Sequence, residues 1–196
     1  MSNDDALHSA PSNVQSAMDP RVLKDPRGMT LAGWAFQGRV ITLGLVAGCV
    51  FVGVILGVIG GDNAPEGDMT LMVLIGVAAL VLNIVMAFLV PAMLRSTSVA
   101  KLKAADGAAA SARTWSQWPE REPMPMALSE FLKTDQIARL IGQAMLEGAA
   151  MINFVMMFLT RSPVNLMCAV VALVGIVAMF PTVGRMRDRI ESVLRA

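Results

Sequence analysis

The sequence predicts an all-α integral membrane protein whose four transmembrane helices form two hairpins, accompanied by interfacial cytoplasmic helices. The first observation behind this fold class is composition. Of the residues, 55% are hydrophobic and only 16% are charged, which is far from the balance of soluble domains. The second is a set of four apolar runs, each close to the roughly 20 residues that a helix needs to cross a ~30 Å hydrocarbon core. Helices are expected because a chain in lipid must satisfy its own backbone hydrogen bonds.

The first hairpin is predicted over residues 38–94. Its two runs, residues 40–59 and 69–90, contain no charged residue, so both are candidate membrane spans. The connection between them, GGDNAPEGD, carries acids and no base. We therefore expect the chain to cross the membrane and return, with this connection outside.

The second hairpin is predicted over residues 140–183, with runs at residues 140–159 and 164–180 joined by the short sequence TRSP. The third run is the most polar of the four, because it contains Glu147. The fourth run is uncharged but short. If the third run did not cross, the arginines of the C-terminal tail would lie outside, so the basic residues favour crossing.

The distribution of basic residues predicts the orientation of the chain. With four crossings, fifteen of the sixteen Lys and Arg residues fall on one side, and Arg161 is the exception. The positive-inside rule then places both termini and the long loop in the cytoplasm. We expect the plasma (inner) membrane. The net charge of +1 gives no reason to expect nucleic acid as a partner.

Three polar segments flank the hairpins. We expect residues 1–37 to be a disordered cytoplasmic tail and residues 95–139 to be a cytoplasmic loop that ends in an amphipathic lead-in to the third run. Residues 184–196 are predicted to form an amphipathic cytoplasmic tail that rests on anionic headgroups. Its apolar residues share one helical face: Met186, Ile190, Val193 and Leu194. Simple anchoring is favoured over regulated lipid sensing as the role of this tail.

The candidate intramembrane polar site is centred on Glu147. A carboxylate at the middle of a membrane helix costs ~2.5–3.5 kcal/mol on insertion scales, so it normally faces protein or water. Gln143 and Arg139 precede Glu147 at successive helical turns and form a polar stripe with it. Asn83 is predicted at a similar depth in the second run. We therefore expect Glu147 to face the bundle interior and to bond Asn83, Gln143 or water.

The stretch AMLEGAAMINFVMMFL, residues 144–159, resembles the second helix of the proteolipid c subunits of rotary ATPases. In that family a carboxylate on the outward-running helix carries a proton or sodium ion, and glycine-rich helices form a ring. The resemblance implies that Glu147 is an ion-binding acid. This chain departs from the family pattern in its long loop and in a preceding span that is not glycine-rich. No family resemblance extends over the whole chain.

Glycines of the first run predict how its helix packs. Gly44 and Gly48 form one GxxxG pair, and Gly53 and Gly57 form another. At about 100° per residue the two pairs face nearly opposite sides of the helix. Small residues let membrane helices approach closely, so we expect neighbours on both sides and a compact bundle. Self-association of the bundle is left open.

The sequence favours a structural, interaction or assembly role for this small multi-pass membrane protein, and not an enzyme. A membrane enzyme needs clustered acids, histidines or a nucleophile beside a base, whereas the four runs supply one acid and no histidine. Acids of the loop, such as Asp135, are interpreted as a solvated face. We expect no catalytic residue, no metal site and no cofactor. The alternative is a proton or ion translocation component that uses Glu147. The expected partners are the lipid bilayer and either a second copy of the chain or a membrane complex.

Overall fold

A computed structural model describes residues 28–59, 68–106 and 117–195. Within these residues the chain is helical, and it forms five helices: α1, Leu31–Ile59; α2, Thr70–Asp106; α3, Met126–Thr160; α4, Pro163–Ala178; and α5, Val183–Arg195. Three of them, α1, α2 and α3, are long and apolar enough to cross a membrane. The bent pair α4–α5 adds a fourth crossing if it counts as one span. The chain is therefore a helical protein with several membrane-compatible helices, as its composition predicts.

The helix α1 begins well before the first apolar run. Residues 31–37, predicted to belong to a disordered tail, are helical, and that part of the prediction is wrong. The physical reason is packing, because Leu31, Trp34 and Ala35 recur at helical spacing and are all buried. Residues 1–27 of the predicted tail lie outside the described residues.

The predicted loop over residues 95–139 is also largely helical where the structure describes it. The helix α2 continues to Asp106, so at ~1.5 Å per residue its 37 residues span about 55 Å, more than the membrane core requires. The helix α3 starts at Met126, after Pro125 at its N-cap position, and the predicted lead-in is its first part. Residues 107–116 lie outside the described residues.

The chain reverses direction between α3 and α4. Arg161 ends α3 in the left-handed conformation, with φ of 54°. Ser162 then caps α4, its side chain accepting a hydrogen bond from the Val164 N–H, and Pro163 occupies the first turn. The helix α5 leaves the end of α4 at a bend of 73°.

The helix α3 lies at the centre of the bundle and packs against α1, α2 and α4. The helices α1 and α2 make little contact with each other, and each packs on α3 and α4 instead. The first two spans are therefore consecutive in sequence without forming a packed hairpin. The reason lies in α3, which presents different faces to them: Gln143 bonds α1 and Asn153 bonds α2.

A core of buried apolar side chains forms at one end of the bundle, called here the arginine-rich end because it holds Arg39, Arg95, Arg139, Arg185 and Arg189. Side chains from the starts of α1 and α3 enclose the apolar face of α5 there. Met186, Ile190 and Val193 are buried in protein. The prediction that this face rests on lipid headgroups is therefore wrong, because the extensions of α1 and α3 beyond the apolar runs cover it.

Candidate functional site

Glu147 lies at the seam between α1 and α3 and is half-buried. Two contacts set the register of this seam: Thr42 with Gln143, and Gly53 with Phe154. Because the same offset along the chain separates both pairs, the two helices run parallel, and Glu147 falls between the contacts. Its carboxylate interacts electrostatically with the thiol of Cys49 on α1. No hydrogen bond or ion pair joins it to any other residue that the structure describes.

Gln143 is fully buried and ties three helices together. Its Nε2 donates to Thr42 Oγ1 of α1 at 2.9 Å and to the Ile176 carbonyl of α4 at 3.3 Å. The Thr42 hydroxyl in turn donates to the Gly38 carbonyl at 2.9 Å. Gln143 thus bonds neighbouring helices and leaves Glu147, one turn further along its own helix, without an amide partner.

Asn83 and Arg139, the other two residues of the predicted site, bond to residues of their own helices. Asn83 donates to the Ala79 carbonyl of its own helix at 2.8 Å. Arg139 binds Asp135, one turn earlier on α3, at 2.7 Å. The structure therefore joins the four residues of the predicted polar site by no hydrogen bond or ion pair, and the expected bonds from Glu147 to Asn83 or Gln143 are not formed.

Asp135 is a buried carboxylate that contacts two arginines. It is 5% exposed, which contradicts its interpretation as part of a solvated face. Arg139 Nη2 lies 2.7 Å from its Oδ2, and Arg95 Nε of α2 lies 2.8 Å from its Oδ1. The Arg95 Nε–H is not directed at that oxygen, so this contact is an ion pair and not a well-formed hydrogen bond. The burial of Asp135 depends on residues distant in sequence, so no local pattern signals it.

Two asparagines form a polar cluster that sequence reasoning missed. Asn153 Nδ2 donates to the Gly76 carbonyl of α2 at 3.1 Å, and Asn165 Nδ2 donates to Thr160 Oγ1 at 3.1 Å. Their Oδ1 atoms have no hydrogen-bond partner, and a Cβ added at Gly76 would lie within 2.7 Å of both. Asparagines inside apolar runs are the available sequence signal, because such residues usually bond a neighbouring helix.

The glycines of α1 occupy different environments. A Cβ at Gly53 would lie 2.7 Å from the Phe154 ring, so α3 approaches α1 closely there. Gly44, Gly48 and Gly57 have no atom within 4 Å of the same position. One member of the second GxxxG pair is thus packed against α3, whereas the first pair faces open space.

The described residues contain no group of three or more His, Cys, Asp or Glu side chains that could hold a metal ion. The chain has no match among protein-family models, curated protein sequences or solved structures. The resemblance of residues 144–159 to proteolipid c subunits therefore stays a prediction.

Proposed function

We propose that the protein has a structural or assembly role in the membrane, in which α1 provides the surface for a partner helix. The observation that carries this proposal is the open Gly44–Gly48 pair on an exposed face of α1. Only six of its 29 residues are buried, and none of them lies beyond Cys49. A membrane helix without a protein partner can face lipid in this way. The open Gly44–Gly48 pair, however, gives α1 the kind of small-residue surface on which membrane helices associate.

The buried amides support a structural role for the rest of the bundle. Within a membrane, a polar side chain without a partner is costly, so an amide bonded to two helices selects one packing arrangement over its alternatives. Gln143 does this for α1, α3 and α4, and Asn153 does it for α2 and α3. The bundle can therefore hold α1 in a defined orientation for a partner.

The same proposal includes an orientation. We infer four crossings, with the arginine-rich end and both termini in the cytoplasm and the protein in the plasma (inner) membrane. The positive-inside rule supports this, since the cationic side chains of four helices meet at that end. Cysteine labelling near each terminus and in the connection after α1 tests the orientation.

The experiment for assembly compares two glycine variants of α1. Gly48→Leu adds bulk on the open pair, and Gly57→Leu adds the same bulk where space is equally open. If the partner is a second copy, Gly48→Leu weakens self-association in liposomes, measured by energy transfer between labelled chains, and Gly57→Leu does not. A chain that is monomeric in liposomes and copurifies with no membrane protein in mild detergent would contradict the proposal.

Ion translocation through Glu147 is the second candidate. It is favoured by the position of the carboxylate, which is half-buried on the α1–α3 seam and forms no hydrogen bond to the residues that the structure describes. Such a group is available to a proton or a cation. Proton flux into liposomes tests this: Glu147→Gln should abolish it, and Glu191→Gln, on the polar face of α5, should not. A parent protein without flux would eliminate the candidate.

A further inference from the structure

A cavity of about 270 Å³ opens at the arginine-rich end, between α2, α3 and the bend that joins α4 to α5. Its polar wall contains four arginines and a single carboxylate: Arg95, Arg139, Arg185, Arg189 and Asp135. Positive charges collected around one cavity repel each other, and an anion held among them would relieve this repulsion.

The protein itself neutralises only part of this charge. Asp135 is shared by Arg95 and Arg139. Arg185 Nη1 donates to the carbonyls of Ala178 and Phe180, at 2.6 and 3.1 Å, and so caps the end of α4. The guanidinium of Arg189 forms no ion pair or hydrogen bond with any residue in the described part of the chain. The cavity therefore keeps unused guanidinium donors and an excess of positive charge.

The rest of the cavity lining is apolar. It includes Phe88 and Pro91 of α2, and Met179 and Phe180 at the end of α4. Phe88 is 66% exposed and lies seven residues before Arg95, about 10 Å along the helix. The surface thus changes from apolar to cationic over the distance that separates the acyl region of a bilayer from its headgroups.

We propose that this cavity binds the phosphate of an anionic phospholipid, with the acyl chains leaving along Phe88. Planar guanidinium groups match phosphate oxygens in charge and in geometry, and Arg189 and the free nitrogens of Arg185 supply the donors. Free phosphate shares this chemistry, but the apolar wall is explained by a lipid alone. The cavity lining includes no residue of α1 and does not include Glu147, so this proposal depends neither on a partner of α1 nor on ion translocation.

The test uses the full-length protein in nanodiscs of phosphatidylcholine, with and without phosphatidylglycerol. Thermal unfolding and native mass spectrometry measure stabilisation and retained lipid. The variant Arg189→Gln removes the guanidinium that has no partner among the described residues, and the exposure of Arg189 makes a disturbance of folding unexpected. The matched control is Arg195→Gln, which removes the same charge from the same helix at a residue that pairs with Glu191 outside the cavity.

We expect phosphatidylglycerol to raise the unfolding temperature of the wild type and to remain bound to it. Arg189→Gln should weaken this binding on the order of tenfold, as expected for one lost charge-assisted hydrogen bond, while Arg195→Gln keeps it. Equal losses in the two variants would indicate general attraction to a basic surface and overturn the proposal. The same holds if phosphatidylglycerol has no effect, or if inorganic phosphate in phosphatidylcholine nanodiscs reproduces the full effect.

Discussion

Replacing Gly142 by alanine tests a close approach of α3 to the backbone of α2. A Cβ at Gly142 of α3 would lie 2.9 Å from the carbonyl oxygen of Ala87 on α2. That oxygen lacks its usual intrahelical donor, because the residue four positions later, Pro91, has no N–H. Ordinary contact of a Cβ begins at about 3.4 Å, so one backbone must move by about half an ångström.

Two opposing effects determine how Gly142→Ala changes the free energy of unfolding. Overpacking of this kind costs ~1–3 kcal/mol, and replacing a helical glycine by alanine gains up to ~1 kcal/mol. Gly148, also in α3, has no atom within 4 Å of the position that a Cβ would take, so Gly148→Ala keeps the gain without the clash. We therefore expect Gly142→Ala to be less stable than Gly148→Ala by ~1–3 kcal/mol, because the helix term cancels between them.

Reversible unfolding in mixed micelles, with increasing sodium dodecyl sulfate, measures both free energies of unfolding. The slope of the transition should be the same for both variants, because neither changes the surface exposed on unfolding. If Gly142→Ala proved as stable as Gly148→Ala, the close packing of α2 on α3 at Ala87 would be refuted.

Three further predictions concern polar groups. Gly76→Ala should lower the unfolding temperature, because its Cβ would lie 2.5 and 2.7 Å from two buried asparagine oxygens; thermal unfolding in detergent checks this. Gln143→Leu should cost about 1 kcal/mol, and a double-mutant cycle with Thr42→Val should show non-additivity, whereas additive losses would argue against their hydrogen bond. Hydrogen bonds from the Thr70 side chain and backbone lower the pKa of Asp68. Its small contribution to stability should be complete above the ordinary pKa and lost as pH falls through the lowered value, which unfolding of wild type and Asp68→Ala across that range measures.

The membrane helices could be predicted because their signal is local. An uncharged run such as residues 69–90 has few alternatives to a helix once it must satisfy its backbone in lipid. The ends of the helices could not be predicted in this way. The first turns of α1 and α3 are amphipathic, and Trp34 and Phe131 are buried in a core that they share with α5, which returns to the same end of the bundle.

The candidate site was harder to predict, because its residues are visible in the sequence but their partners are not. Gln143 and Glu147 are one helical turn apart, which suggests a shared site. The side chain of Gln143, however, bonds Thr42 on another helix. The prediction for Asp135 is wrong for a different reason. Within a polar segment it suggests solvent exposure, whereas the fold buries it between Arg95 and Arg139.

Two of the three carboxylates of α3, Asp135 and Glu147, differ in how firmly the bundle holds them. Asp135 is buried between two arginines, and removing one partner of such a group costs several kcal/mol, so it stabilises the arginine-rich end. Glu147, three turns further along α3, has no such partner among the described residues and borders α1, whose most apolar stretch is less buried than those of α2 and α3. The two proposed roles therefore use different faces of α1. Ion uptake by Glu147 uses the face beside α3, whereas docking uses the face of Gly44 and Gly48, which lies roughly opposite at about 100° per residue.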